Sequence, residues 1–205
     1  MTASWGLWRV ARSLRRMPER LLHPLRRRKA LGRLRGFPPP RFVLVVCHGN
    51  ICRSPYAAML LGHELTRSAQ GAVRVESAGF AGSGRPCPPI AVEVAAARGL
   101  DLSQHRSQAL TPYNLGAADL VVVMDRAQRG ALRRLFHRDG QAVLILGDLD
   151  PDPIDTRQIE DPAEQSREIF ERSFSRIERC VREFAGAIAR SARRGVVRTG
   201  ERIRA

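Results

Sequence analysis

Cys47 and Arg53 stand six positions apart in the stretch VLVVCHGNICRSP, residues 43–55. A cysteine and an arginine so placed could hold an oxyanion between a nucleophilic sulfur and a planar guanidinium, which grips two oxygens of a phosphate at once. The spacing alone carries little weight. Of the 205 residues 34 are arginine, with Lys29 the only lysine, and among four cysteines a chance pair at this spacing is about an even bet.

The surroundings of the pair decide. Gly49 and Asn50 are the residues best able to take the left-handed turns of a tight curl, and Pro55 suits the first turn of a following helix. Backbone N–H groups of such a curl, with those of the helix start, form an anion nest. Positive surroundings of this kind favour the thiolate, the nucleophilic form of a cysteine. Ser54 could donate a hydrogen bond to the sulfur. The chemistry implied is attack of sulfur on phosphorus. A buried free cysteine at a strand end is the ordinary alternative, and the glycine-asparagine, arginine-serine and proline together outweigh it.

Elements must position this loop. FVLVV (42–46) is a β-branched run suited to a strand covered on both faces, and YAAMLLGHEL (56–65) reads as the helix after it. Further strands are predicted at 73–79, 119–125 and 142–146, with helices at 88–100, stopped by Gly99, and near 126–136. Phe170, Phe174, Ile177, Val181, Phe184 and Ile188 recur at steps of three and four, the stripe of a last amphipathic helix. Strands alternating with helices predict an α/β fold, a four-stranded parallel sheet with helices on both faces and the loop at its C-terminal edge.

The formal charge of +15 suggests a nucleic-acid binder until it is mapped. Residues 1–40 carry +10 and residues 190–205 carry +5, while 41–189 hold 18 basic and 18 acidic groups. The expected organisation is a basic N-terminal extension over 1–40 ending in the stiff GFPPP linker, a neutral domain over 41–189, and a solvated basic tail over 190–205. Nucleic acid is not an expected partner of the neutral domain. The cysteine spacing gives neither a disulfide framework nor a zinc site. With no apolar run long enough to span a membrane, the chain reads as cytoplasmic, and no metal or cofactor is called for.

CHGNICRSP resembles the phosphate-binding loop of the low-molecular-weight protein-tyrosine phosphatases and of their arsenate-reductase relatives. SAGF (77–80), DLSQHRS (101–107), DLVVVMD (119–125) and the Asp-Pro at 161–162 resemble further blocks of that family in its order. The resemblance implies that Cys47 is the nucleophile and Arg53 binds the phosphoryl group. It implies that His48, Gly49, Asn50, Ile51, Cys52 and Ser54 build the loop, with Asn50 and Ser54 poising the sulfur and Ser77 and His105 bracing it. The substrate would be a tyrosine-phosphorylated protein, with a cognate tyrosine kinase as a further partner.

The family takes its proton donor from an Asp-Pro-Tyr element before the last helix. Three Asp-Pro pairs occur here, at Asp150, Asp152 and Asp161, and Asp161 directly precedes the Phe170–Ile188 helix. The competing reading makes Asp161 the N-cap of that helix, with Pro162 at its first position. Ala163 stands where the family usually has tyrosine, which implies a shallower cleft. Cys52 is expected to protect Cys47 through a reversible disulfide, while Cys87 and Cys180 read as structural. Arsenate reduction on the same scaffold is the alternative activity, but its usual pair of closely spaced later cysteines is lacking. A phosphate-binding protein without catalysis is a third reading, and the intact Cys47, Arg53 and Ser54 weigh against it.

In the extension, Leu7, Val10, Ala11, Leu14, Met17, Leu21 and Leu25 share one helical face and Arg9, Arg12, Arg16 and Arg20 the opposite one. That pattern suits a helix on an anionic membrane surface, with Pro18 expected to interrupt it. A disordered basic arm, or a true start nearer the first strand, are the competing readings.

Overall fold

The structure is a computed structural model that describes the backbone of residues 4–36, 39–68, 73–138 and 142–203; in the two terminal helices, side chains are described over 19–35 and up to 192. Eleven elements follow in order among the described residues. Helix α1 (Ser4–Gly36) leads to β1 (Phe42–Cys47), α2 (Arg53–Arg67), β2 (Arg74–Gly79), α3 (Pro89–Ala96), α4 (Pro112–Ala117), β3 (Leu120–Val123), α5 (Arg126–Phe136) and β4 (Val143–Ile145). A 3-10 turn (Leu146–Leu149) and the long α6 (Arg167–Ile203) complete the chain.

The sheet is parallel with strand order β2-β1-β3-β4, so the four-stranded α/β architecture is the expected one. β1 is central and buried along its whole length. Its alternate residues serve two cores. Val43, Val45 and Cys47 face a larger cluster with Tyr56, Leu61, Phe170 and Phe174. Phe42, Leu44 and Val46 face a smaller one with Leu115, Val121, Val123 and Leu132. The chain leaves β1 at the point where strand order reverses, which is where an open α/β sheet offers a crevice.

The stripe on α6 is buried as its spacing requires, each of its six residues at most 1% exposed. Tyr56 of α2 stacks on Phe174 with ring centroids 3.9 Å apart, and its hydroxyl donates to Glu178 Oε1 at 2.7 Å. Arg98 Nε, 3.0 Å from the same carboxylate oxygen, ties the segment after α3 into this contact. The α3 helix ends at Ala96, and the turn after it closes through Gly99 at φ 78°. Helix α4 and the 3-10 turn went unpredicted because six and four residues are too short for a periodicity to register. A capping box between Thr111 and Asn114 starts α4.

At the C-terminal end, α6 continues to Ile203. One expectation about the ends is corrected. Pro18 does not interrupt α1, which is helical from Ser4 to Gly36. An interior proline removes a helix hydrogen bond and costs ~3 kcal/mol; burial of His23, Ala30, Leu31 and Leu34 in the second half supplies an offsetting term. That half packs against α6 and the 3-10 turn. The apolar and basic faces expected over 5–17 lie outside the described side chains, as do Phe37 and Pro38 of the linker.

Candidate active site

The loop after β1 closes around one sulfur. Cys47 Sγ accepts a hydrogen bond from Ser54 Oγ at 3.0 Å and from the Asn50 backbone N–H at 3.3 Å. Asn50 is fully buried at φ 51°, the left-handed turn its residue type allows. Its side-chain amide donates to Ser54 Oγ and to Ser77 Oγ, both at 2.8 Å, while its Oδ1 accepts from the Gln108 backbone N–H at 2.8 Å. His105 Nε2 lies 2.8 Å from the Asn50 carbonyl. A carbonyl can only accept, so Nε2 carries the proton. Burial pushes the His105 imidazole below its ordinary pKa, against the opposing pull of this bond.

The neighbouring strand braces the loop from below. Phe80 and Ala81 donate backbone hydrogen bonds to the carbonyls of Cys47 and His48. A Cβ on Gly79 would stand 2.8 Å from both the Asn50 nitrogen and the His48 carbonyl oxygen, so this position admits glycine alone without displacing the loop. Arg85 Nη2 donates to the carbonyls of Gly49 and Ala81, each at 3.2 Å. Sequence reasoning found Ser77 and His105 but missed Gly79, Gln108 and Arg85. The SAG stretch held the signal for Gly79; Gln108 acts through its backbone and leaves none.

Arg53 opens α2, where the loop ends, and is 2% exposed. Its Nη1 donates to the Ile159 carbonyl at 3.1 Å and its Nη2 contacts Asp161 Oδ2 in an ion pair. The buried Nε has no partner. A guanidinium anchored at one end with a further donor left over suits an oxyanion bound beside Cys47.

The three Asp-Pro pairs separate by environment. Asp150 is fully buried and neutralised by Arg176 (Nε–Oδ2 3.0 Å) and Arg179 (Nε–Oδ1 2.9 Å) of α6. Asp152 is exposed and pairs with Arg179 at 3.0 Å. Asp161 reaches the loop arginine, with a side chain 42% exposed. The N-cap reading of Asp161 fails, because α6 begins at Arg167 and Glu164 at φ 61° breaks any helix between them. Instead Asp161 Oδ1 accepts from the Ala163 N–H at 3.3 Å, a local turn that fixes the carboxylate over the arginine. Ala163 packs half-buried against the core.

All four cysteines are free and buried. Burial pushes the Cys52 thiol up, and the charge of nearby Cys47 pushes it further. Cys87 is raised to about 11 by burial and then by Cys47. Both feel Cys47, whereas Cys180, on α6, is raised chiefly by burial and is not exposed at all.

Comparison with known proteins agrees with this geometry. The profile of the low molecular weight phosphotyrosine protein phosphatase family matches residues 42–194. The probable low molecular weight protein-tyrosine-phosphatase EpsP of Ralstonia solanacearum is 41% identical over 140 residues, spanning 68% of this chain and 90% of that protein. Vibrio vulnificus Wzb in complex with benzylphosphonate superposes with a TM-score of 0.63 at 31% identity, covering 72% of this chain and 98% of Wzb. A cysteine-to-serine mutant of the YwlE arginine phosphatase with a phosphorylated active-site serine gives a TM-score of 0.67 at 27% identity, covering 74% and 98%. The Cys47 loop, the sheet that carries it and these likenesses lead to one statement: the chain belongs to the low molecular weight phosphotyrosine protein phosphatase family.

Proposed function

We propose that the chain hydrolyses phosphotyrosine in proteins through a cysteinyl-phosphate intermediate. The observation that carries this reading is the pair of hydrogen bonds from Ser54 and the Asn50 N–H to Cys47 Sγ, which aim donors at one sulfur at the mouth of a curled loop. Cys47 Sγ attacks phosphorus and the bond from phosphorus to the tyrosyl oxygen breaks. Arg53 and the loop amides hold the phosphoryl oxygens. Asp161 gives its proton to the departing oxygen, then takes one from water as the water attacks phosphorus and the thiolate leaves. No metal takes part in these steps.

Ser77, His105 and the Asn50 side chain are positioning groups in this scheme, since they act on the loop and not on the phosphoryl group. The four buried free thiols support placing the activity in a reducing cytoplasm. A kinase that phosphorylates tyrosine is the reaction that must supply the substrate.

Purified protein assayed against matched phosphotyrosine, phosphoserine and phosphoarginine peptides, and against arsenate with a thiol reductant, tests the reading. Preference for phosphotyrosine is expected. Preference for phosphoarginine, the chemistry named for YwlE, or turnover of arsenate would replace it.

A further inference from the structure

A cavity of about 630 Å³ lies between the second half of α1 and the loop that carries Pro151 and Pro153. Arg20, His23, Arg27, Arg28 and Arg35 line one side of it. Arg20, His23 and Arg27 recur three and four residues apart along α1, and Arg28 and Arg35 stand seven apart beside them. No acidic residue among the described residues lines the cavity. It is a half-open cleft with the volume of a small-ligand site, and none of its lining belongs to the Cys47 loop.

Two buried polar atoms here lack a hydrogen-bond partner among the described residues. His23 is 4% exposed, its Nε2 lies 3.0 Å from the Asp150 carbonyl, and its Nδ1 has no hydrogen-bond partner. A carbonyl only accepts, so Nε2 is the donor, and Nδ1 is left for another group. Arg27 donates through Nη2 to Glu183 Oε2 at 2.6 Å, yet its buried Nε is unpartnered. Buried donors are normally satisfied, and unsatisfied ones need a reason. Arg28 and Arg35 are exposed and have no carboxylate partner among the described residues. Arg20 and Arg27 are paired with Asp155 and Glu183 at the margins, so the uncompensated charge comes from Arg28 and Arg35.

We propose that this cavity is a second anion site, separate from the Cys47 loop, that takes a phosphate-bearing ligand larger than orthophosphate. Arginine forks match phosphate oxygens two at a time. The volume exceeds what a lone phosphate fills, and Leu31 and the prolines supply an apolar wall for the rest of the ligand. A free organic phosphate or polyphosphate and a phosphorylated lipid headgroup share this chemistry.

Tripolyphosphate is titrated calorimetrically into the full chain whose Cys47 site is filled with stoichiometric vanadate. One further equivalent should bind. Arg28→Glu with Arg35→Glu should weaken it at least tenfold, whereas the charge-matched control Arg133→Glu with Arg134→Glu, on the exposed face of α5, should leave it unchanged. Hydrolysis of a small phosphate ester should be the same in all three proteins, which verifies that they are folded. Vesicles carrying a phosphoinositide separate the sources: binding that tripolyphosphate competes away and that the Arg28/Arg35 variant loses assigns a lipid headgroup, and vesicles left unbound assign a free phosphate compound. No binding beyond the vanadate-filled site, or equal weakening by both pairs of substitutions, overturns the proposal.

Discussion

Ser54 Oγ donates to Cys47 Sγ across 3.0 Å and itself accepts from Asn50 Nδ2 at 2.8 Å. Asn50 thus occupies the accepting side of the serine oxygen and leaves its proton to the sulfur, with the Ala78 carbonyl a more distant acceptor at 3.5 Å. A hydrogen bond to a charged group contributes about 1.5–3 kcal/mol. Ser54→Ala should therefore lower kcat by roughly 10- to 100-fold and slow alkylation of Cys47 by iodoacetamide at neutral pH. Asn50→Ala should do at least as much, since it removes the orientation, the Ser77 contact and the Gln108 contact together. Unchanged alkylation in both variants would remove the serine from any role at the sulfur.

The acid and the two structural aspartates predict three different outcomes. Asp161→Asn should slow hydrolysis of phenyl phosphate by roughly 10²–10⁴-fold, with a smaller loss for a leaving group that needs no proton. Asp152→Asn, on an exposed pair, should leave kcat and Tm unchanged. Asp150→Asn should keep the leaving-group dependence but lose ~3–5 kcal/mol of stability, because two arginines are left facing a neutral amide in a buried position. Full activity of Asp161→Asn beside an inactive Asp152→Asn would reassign the acid.

Legibility in the sequence followed the range of each interaction. The β-branched run of β1 and the six-residue stripe of α6 state their own burial, so the sheet and its long helix could be read directly. The choice of Asp161 among three Asp-Pro pairs could be made from its place before α6, but the reason the others fail could not. Asp150 is recognisable as structural only once Arg176 and Arg179 fold back over it. Gln108 acts through its backbone, which side-chain types do not reveal. The left-handed Glu164, which delays α6 to Arg167, carries no sequence signal either, since glutamate does not favour that conformation.

Mild peroxide should inactivate the enzyme reversibly, with a Cys47–Cys52 disulfide visible by peptide mass. The raised Cys52 thiol makes it a poor first target of oxidation and leaves it to resolve a sulfenic acid formed on Cys47. Cys52→Ser should make the loss irreversible. A Cys47–Cys87 peptide in its place would transfer the protective role to Cys87.

His105 predicts a pH dependence of stability. Its folded pKa lies below the ordinary value, so the unfolded chain binds the proton first as pH falls. Stability is therefore fully present above about pH 6.5 and is lost as pH drops through the folded value. His105→Gln, a neutral donor of similar reach to the Asn50 carbonyl, should flatten the fall in Tm between pH 7.5 and pH 5. Parallel profiles for the two proteins would show that other groups set the slope.

The docked half of α1 should behave as part of the core. Leu34 is 4% exposed and Leu31 5% exposed, and both belong to the cluster that holds Tyr56 and the α6 stripe. Arg27–Glu183 at 2.6 Å and the Ser191 hydroxyl bonded to the Arg35 carbonyl at 3.4 Å fasten the same face to α6. Truncating a buried leucine typically removes ~2–5 kcal/mol, so Leu34→Ala should lower Tm by roughly 5–15 °C in a chain of this length. Deleting residues 1–40 should lower it further and expose an apolar strip on α6, seen as increased dye binding or self-association. Hydrolysis of a small soluble ester at 25 °C should survive Leu34→Ala unchanged, because every described hydrogen bond to the Cys47 loop comes from residues after Arg41. A Tm unaffected by Leu34→Ala would return α1 to the status of a detached basic arm.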